Sequence, residues 1–346
     1  MARVDPDPSP DADAPEPSPT GPGAVARTRL YQDGVLVQED FPVDDISEHL
    51  ATPGAVVWVD LFAPGIDDLA VVTHELGLHH LAVADAVGTR QRPKLDRYST
   101  HEFLNMYAVA LDDAGRLRQS ELSAFITRSA LVTVRKDAAF DMDAVVTRWD
   151  ESPDLARFGV GFLLYALIDH VVDGHFATVQ DLDEEIEALE DQLFDERVGT
   201  QELQRHSFAL RKSLVTLRRV VLPMREVVNT LMRRDLQIVG DEMAPYYQDV
   251  YDHVLRATEW TESLRDLVTT ILETNLTLQG NRLNVITKKV TSWAAIIAVP
   301  TAITGWYGQN LPYPGFADTS GLIASVVLIV TVSGGLYVAF KRKDWL

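Results

Sequence analysis

The feature that most limits the possible folds is a pair of apolar stretches close to the C-terminus. The first, residues 290–307, runs for about 18 residues without a charged side chain, which is near the lower limit for an α-helix that crosses a bilayer. The second, residues 320–340, has about 20 uncharged residues, most of them branched aliphatics. Only the loop 308–319 separates them. We therefore predict a two-helix transmembrane hairpin whose two ends lie on the same side of the membrane.

Positively charged residues flank this hairpin on one side. Arg282, Lys288 and Lys289 precede the first span, and the basic tail 341–346 follows the second. The connecting loop contains no Lys or Arg. Because Lys and Arg are enriched in cytoplasmic segments, we predict a multi-pass protein of the inner (plasma) membrane with both termini in the cytoplasm and the loop outside.

The first span carries a stripe of small and neutral polar residues. Steps of three and four along the chain place them on a single helical face. The members are Asn284, Thr287, Val290, Thr291, Ala294, Ala298, Thr301 and Gly305. One hairpin encloses no lumen, so a stripe that faces water requires several copies around one axis, which predicts a homo-oligomer with this stripe lining a pore. The alternative is a small-residue face that packs against another helix.

The charge of the chain is concentrated in its soluble part. The net charge is −20 over 346 residues, and the acids fall almost wholly before the first span. Such an acidic surface argues against nucleic acid as a partner and suits encounters with cations. The chain has no cysteine, which excludes disulfides and thiolate metal ligands. Residues 1–26, rich in Pro and Asp, are predicted to be a disordered tail.

The soluble part divides into three predicted regions. Residues 27–150 have the pattern of an α/β domain, with a hairpin at Asp33-Gly34, a helix over 67–76, and strands over 56–61, 103–111, 117–127 and 131–135. Residues 151–240 predict an antiparallel helical hairpin, with helical runs over 153–196 and 201–234. Residues 241–289 predict the cytoplasmic part of a stalk helix that continues to Tyr307, about 63 residues or 95 Å in all. The predicted fold class is thus an α+β membrane protein.

The end of the first span is similar to a known signature. Tyr307-Gly308-Gln309-Asn310 resembles the YGxN motif of the CorA-type divalent cation channels, the two-span GxN family. Further matching stretches lie at 91–94, 217–219, 223–226, 248–253, 264–266 and in the basic tail KRKDWL, so the resemblance covers nearly all of residues 29–346. It implies a cytoplasmic α/β/α domain, a homopentamer in the lipid bilayer, and Tyr307 to Asn310 at the outer, selective mouth of the pore.

The same resemblance implies a function and a regulatory site. The function is uptake of Mg2+ driven by the membrane potential, with Co2+ as an additional candidate. Asp85 and Asp249 match the positions at which CorA-like channels hold a divalent ion between neighbouring cytoplasmic domains, which implies that cytoplasmic Mg2+ is regulatory as well as transported. From the sequence alone, each of these acids is an ordinary helix-surface residue.

Two alternatives to an Mg2+ channel remain open. The magnesium members of the family typically carry Met at the position of Gln309, so a ZntB-like zinc transporter fits as well. The second alternative is a membrane-anchored cation sensor or scaffold that conducts nothing.

An enzyme and an organic cofactor are not predicted. His74 and His79 stand five residues apart, whereas the zinc-protease motif requires a spacing of four on one helical face. The sequence contains no phosphate-binding glycine loop and no order of residues typical of a catalytic triad.

Overall fold

The computed structural model describes residues 25–89, 91–193, 199–233, 235–309 and 318–346. Nearly all of the acidic tail predicted over 1–26 lies outside these ranges, as does most of the loop 308–319. The chain divides into two compact units. The first runs to Ile186 and includes Ala209–Arg265, and the second comprises Glu187–Phe208 and Asp266–Leu346.

A mixed sheet of seven strands organises the first unit, in the order β2-β1-β3-β7-β6-β5-β4. Its strands are β1 Val25–Gln32, β2 Val35–Glu39, β3 Ala55–Phe62, β4 Lys94–Arg97, β5 Glu102–Leu111, β6 Leu117–Ile126 and β7 Ala130–Arg135. The β3–β7 pair is parallel and the other neighbouring pairs are antiparallel. The four predicted strands and the hairpin are confirmed. Asp33 and Gly34 have φ of 51° and 84°, the positive values that a tight hairpin turn requires.

The helices lie on both sides of this sheet and continue toward the C-terminus. They are α1 Ile46–Leu50, α2 Asp68–Leu76, α3 His80–Val87, α4 Met142–Asp150, α5 Pro153–Ala156, α6 Val160–Leu193, α7 Thr200–Leu231, α8 Ala244–Tyr307 and α9 Thr319–Arg342. The helix predicted over 67–76 is confirmed as α2, and the predicted stalk helix is confirmed as α8, which has 64 residues.

Alternate residues of β3 enter two different hydrophobic cores. Val57 and Val59 pack with α2 and α3 in one core, whereas Trp58 packs in the other with the start of α6 and parts of α7 and α8. The alternation follows from the two-residue period of a strand. A sheet buried on both faces by helices is an α/β/α sandwich, which is the architecture that the resemblance implies.

The helical run predicted over 153–196 is wrong at its beginning. Gly159 has φ of 64°, in the left-handed region that glycine adopts without strain. The chain therefore turns there, and the short α5 is separate from α6, which begins at Val160.

Candidate cation sites and membrane segment

Two helices of the described chain are long and apolar enough to cross a membrane, by length and composition alone. One is α9, whose most apolar part is 0% buried. Leu322, Ile323 and Val330 on α9 are each more than half exposed. The other is α6, but 67% of its most apolar part is buried, as in the core helix of a soluble domain. α9 therefore fits the second predicted span, residues 320–340.

The first predicted span, residues 290–307, forms the last part of α8. It is not among the helices of the described residues that are apolar enough by composition, because it has five Val, Ile and Leu residues whereas residues 320–340 have ten. The prediction that it crosses the membrane still rests on its lack of charge and on its position immediately before α9.

The predicted pore-lining stripe lies along α8 from Asn284 to Gly305. All eight of its residues are exposed in the single chain. The hydroxyl of Thr301 donates to the backbone oxygen of Ile297 at 3.1 Å, so the hydroxyl is satisfied within the helix. The stripe presents methyl groups, hydroxyls and an amide and carries no charge, a surface suited to the water shell of a hydrated cation.

The predicted outer mouth begins where α8 ends, at Tyr307. The amide of Gly308 donates to the backbone oxygen of Thr304 at 2.8 Å. A β-carbon on Gly308 would lie 3.0 Å from the same oxygen, so this close approach favours glycine. Gln309 is exposed. Asn310 lies outside the described residues, and its role stays a prediction.

Asp85 lies on α3 and is already paired within the chain. Its Oδ2 lies 2.6 Å from Nζ of Lys94, and its Oδ1 accepts from Nε2 of Gln91 at 3.3 Å. Lys94 also contacts Asp96, with 2.6 Å between Nζ and Oδ2. Burial opposes the charge on Lys94, but the hydrogen bonds to Asp85 and Asp96 outweigh it, and the pKa of Lys94 is raised.

Asp249 lies near the start of α8 and is more open. Its side chain is 67% exposed, and its Oδ2 lies 4.0 Å from Nδ1 of His253, one helical turn further on. Asp85 and Asp249 share no contact partner in the described chain. The resemblance implies that a divalent ion joins these two acids across two copies of the chain, and this stays a prediction.

A candidate metal site next to Asp249 was not predicted from the sequence. Ligand atoms of Asp169, Asp173 and His253 all lie within 4.8 Å of one another. Asp169 is buried and forms an ion pair with Arg148. Burial raises the pKa of Asp169, although Arg148 acts in the opposite direction. The only sequence signal was the spacing of four residues between Asp169 and Asp173, which places them on one face of a helix.

The structure thus groups the candidate residues by location. Asp249 and His253 lie on α8, and Asp169 and Asp173 lie on α6, all within the first compact unit. The stripe and the beginning of the mouth lie further along α8, in the second unit. One unbroken helix therefore carries both a candidate cation-binding acid and the candidate pore surface.

Comparison with known proteins agrees with this arrangement. The cobalt/magnesium transport protein CorA of Thermotoga maritima is 30% identical over 273 residues, which cover 78% of this chain and 77% of that protein. The zinc transport protein ZntB of Yersinia enterocolitica is 22% identical over 86% of this chain and 90% of its own length. Among solved structures, the CorA magnesium transporter of Methanocaldococcus jannaschii has the same fold, with a TM-score of 0.75, 22% identity, and coverage of 93% of this chain and 99% of that one.

A family model also matches most of the chain. The model described as CorA-like Mg2+ transporter protein matches residues 53–342, from β3 to the end of α9. This range includes the sheet, the long helices and the apolar C-terminal helix. The chain belongs to the CorA-like family of Mg2+ transporters.

Proposed function

We propose that this member of the family is a homopentameric channel that carries Mg2+ into the cytoplasm, with Co2+ as an additional cargo. The observation that carries the proposal is α8. This helix of 64 residues runs without a break from the acid Asp249 to the uncharged stripe that ends at Gly305. Divalent cation transport is the property that its family relatives share.

The chemistry of the stripe and mouth suits a hydrated ion. Mg2+ holds its water ligands at about 2.1 Å and releases them reluctantly. A conducting path for it is best lined by neutral oxygen and nitrogen atoms that contact the water shell, because carboxylates would bind the ion too tightly to let it leave. Thr301, Gly308 and Gln309 offer such neutral groups, and Asn310 would add a second amide.

The driving force is the membrane potential. An inside-negative potential of about 100 mV favours entry of a divalent ion by about 4.6 kcal/mol, since each charge contributes about 2.3 kcal/mol. In the proposed orientation the N-terminus and the basic tail after α9 are cytoplasmic, the loop 308–319 is external, and the protein resides in the inner (plasma) membrane. Transport of this kind needs no catalysis and no organic cofactor.

Influx without control would be harmful, so the proposal includes feedback. Cytoplasmic Mg2+ bridges neighbouring subunits through Asp85 and Asp249 and holds the channel closed, and loss of the ion opens the pore near Val290 to Ala298. His253, one helical turn from Asp249, connects this position to Asp169 and Asp173, whose charge is partly balanced by Arg148.

The test is Mg2+ flux into proteoliposomes that contain the purified protein at low and at high internal Mg2+. Wild-type flux should fall at high internal Mg2+, whereas Asp249→Lys should continue to conduct. Asp252→Lys is the matched control, because it places the same charge on an exposed residue of α8 only three positions away. If Asp249→Lys is inhibited as strongly as the wild type, Asp249 has no regulatory role.

A zinc transporter is the second candidate, favoured by Gln309 and by the likeness to ZntB. Competition between Mg2+ and Zn2+ for uptake in the same proteoliposomes separates the two, since the preferred ion should block uptake of the other at the lower concentration. A scaffold that conducts neither ion would give no flux above that of empty liposomes. Chemical cross-linking in detergent gives the number of subunits.

A further inference from the structure

Lys94 forms an ion pair with Asp85, the residue whose carboxylate binds a divalent cation in the proposed function. Its Nζ lies 2.6 Å from Oδ2 of Asp85 and 2.6 Å from Oδ2 of Asp96. These three side chains are 22%, 29% and 39% exposed, so the contacts are shielded only in part from water. The ammonium of Lys94 also lies over the ring of Phe103, with Nζ 5.8 Å from the ring centroid.

The contact between Lys94 and Asp85 follows from their positions in neighbouring elements of the chain. Asp85 lies on α3, and Lys94 opens β4 only nine residues later. Register fixes Lys94 opposite Asn105 of β5, so its backbone is held in the sheet. Only the flexible four-carbon side chain of Lys94 is free to move, and the ammonium is a compact point charge with three donors.

A divalent cation and an ammonium cannot share one carboxylate without strong repulsion. Two unit charges about 4 Å apart interact appreciably even in a medium of intermediate polarity, and the interaction doubles when one of them is a divalent ion. Lys94 therefore has to leave Asp85 before a cation binds there.

Asp96 gives the displaced ammonium a second partner. Because Nζ already contacts Asp96, release from Asp85 leaves one of its two ion pairs intact. This lowers the free-energy cost of displacing Lys94 from Asp85.

We propose that Lys94 is a built-in competitor of the regulatory divalent cation at Asp85, and that the sharing of Lys94 between Asp85 and Asp96 sets the concentration at which the cation binds. This inference rests on the proposed role of Asp85. It assigns to Lys94 a function in tuning regulation, and it assigns none in conduction.

The experiment measures cation binding without measuring flux. The full-length protein in detergent is titrated with MgCl2, and its Tm is followed by intrinsic tryptophan fluorescence, for which the chain has six tryptophans. The quantity compared is the Mg2+ concentration that gives half of the maximal rise in Tm. Lys94→Met removes the charge but keeps an unbranched apolar side chain, and Lys94→Arg keeps the charge.

The expected result is a shift to lower Mg2+ in Lys94→Met, by about three- to tenfold, which corresponds to about 0.6–1.4 kcal/mol. Lys94→Arg should stay within about twofold of the wild type, because a cation still faces Asp85. Asp96→Asn should shift the titration to higher Mg2+, since among the described residues Lys94 then keeps only Asp85 as an ionic partner. Lys212→Met on α7 is the control for removal of one exposed positive charge elsewhere.

The other outcomes separate this inference from the proposal on which it rests. An unchanged or increased half-maximal concentration in Lys94→Met overturns the competition, and so does a decrease in Asp96→Asn, which also decides the matter if Lys94→Met fails to fold. Asp85→Asn tests the underlying site. If it loses the response to Mg2+ while Lys94→Met behaves as the wild type, only the competition is wrong. If it responds as the wild type, the regulatory role of Asp85 is wrong and Lys94 has nothing to compete for.

Discussion

The ring nitrogen Nε2 of His175 lies 2.7 Å from the backbone oxygen of Tyr107, and this contact joins α6 to β5. His175 is fully buried, and in the described part of the chain its Nδ1 has no hydrogen-bond partner. Nε2 therefore carries the proton and donates to the oxygen of Tyr107. A second proton would have to be placed on Nδ1, where no acceptor meets it.

The first prediction follows from this contact. Burial lowers the pKa of His175 to about 4, well below its ordinary value near 6.5. Between pH 4 and pH 6.5, His175 is protonated in the unfolded chain and neutral in the folded chain. The free energy of unfolding therefore decreases as the pH falls from 6.5 toward 4. We expect about 2 kcal/mol to be lost between pH 7 and pH 5. The Tm of wild type and His175→Gln at the two pH values measures it.

His175→Gln should show the smaller decrease in Tm on acidification, whatever its own stability at pH 7. Part of the decrease should persist, because burial also lowers the pKa of His101 to about 4. Equal decreases in the two proteins would show that His175 does not contribute.

The second prediction concerns the ion pair of Asp60 and Arg135, which links the parallel strands β3 and β7. Asp60 is 1% exposed, and its Oδ2 lies 2.6 Å from Nη2 of Arg135. The hydroxyl of Thr133 donates to Oδ1 at 2.7 Å. Arg135→Met leaves a buried carboxylate without its partner and should lower the free energy of unfolding by about 3–5 kcal/mol. The measurement is again the Tm of the purified protein.

A double variant tests the cause of that loss. Asp60→Leu combined with Arg135→Met removes the buried charge as well, and it should be more stable than Arg135→Met alone. If the double variant is the less stable of the two, loss of packing explains the effect better than an unpaired charge.

The third prediction concerns Gly280, in the interior of α8. A β-carbon there would meet no atom within 4 Å in the single chain. Glycine in a helix interior costs about 1 kcal/mol relative to alanine. Gly280→Ala should therefore stiffen the helix, and if bending of α8 accompanies opening, Mg2+ flux at low internal Mg2+ should decrease. Asn281→Ala is the control, because it changes the neighbouring exposed side chain and leaves this glycine in place. Equal flux in all three proteins would exclude bending at Gly280.

The fourth prediction concerns the outer mouth. Asn310→Ala should remove most of the flux, because it deletes an amide expected to contact the water shell of the ion. Gln309→Met replaces a polar amide by an apolar side chain, and it should shift the competition between Mg2+ and Zn2+ in favour of Mg2+. Flux that survives in Asn310→Ala would show that the selective contact is made by other residues. A competition ratio identical in wild type and Gln309→Met would show that residue 309 does not select the ion.

Much of the fold followed from local patterns. The strands around Trp58 and Phe125 alternate or run apolar over short stretches, and the hairpin at Asp33-Gly34 has turn residues of clear type. The length of α8 was predictable because no glycine or proline occurs between Pro245, in its first turn, and Gly280. These features depend on residues that are close together in the sequence, so they can be predicted from one sequence alone.

The features that escaped prediction depend on contacts distant in sequence or on unusual backbone angles. β4 is short and charged, and its place in the sheet comes from pairing with β5. Gly159 breaks the helical run through a left-handed turn that nothing in the apolar pattern marks. The proximity of His253 to Asp169 and Asp173 needs α6 and α8 to pack together, and the pairing of Lys94 with Asp85 needs β4 to follow α3 closely in space.

The continuity of α8 has a mechanical consequence. A helix of 64 residues with a rise of about 1.5 Å per residue is about 96 Å long. Tilting such a lever by about 3° at one end displaces the other by about 5 Å, nearly one helical pitch. Under the proposed regulation, a rigid tilt of this kind would turn a small displacement of side chains at the Asp249 end into a movement larger than a water molecule at Gly305.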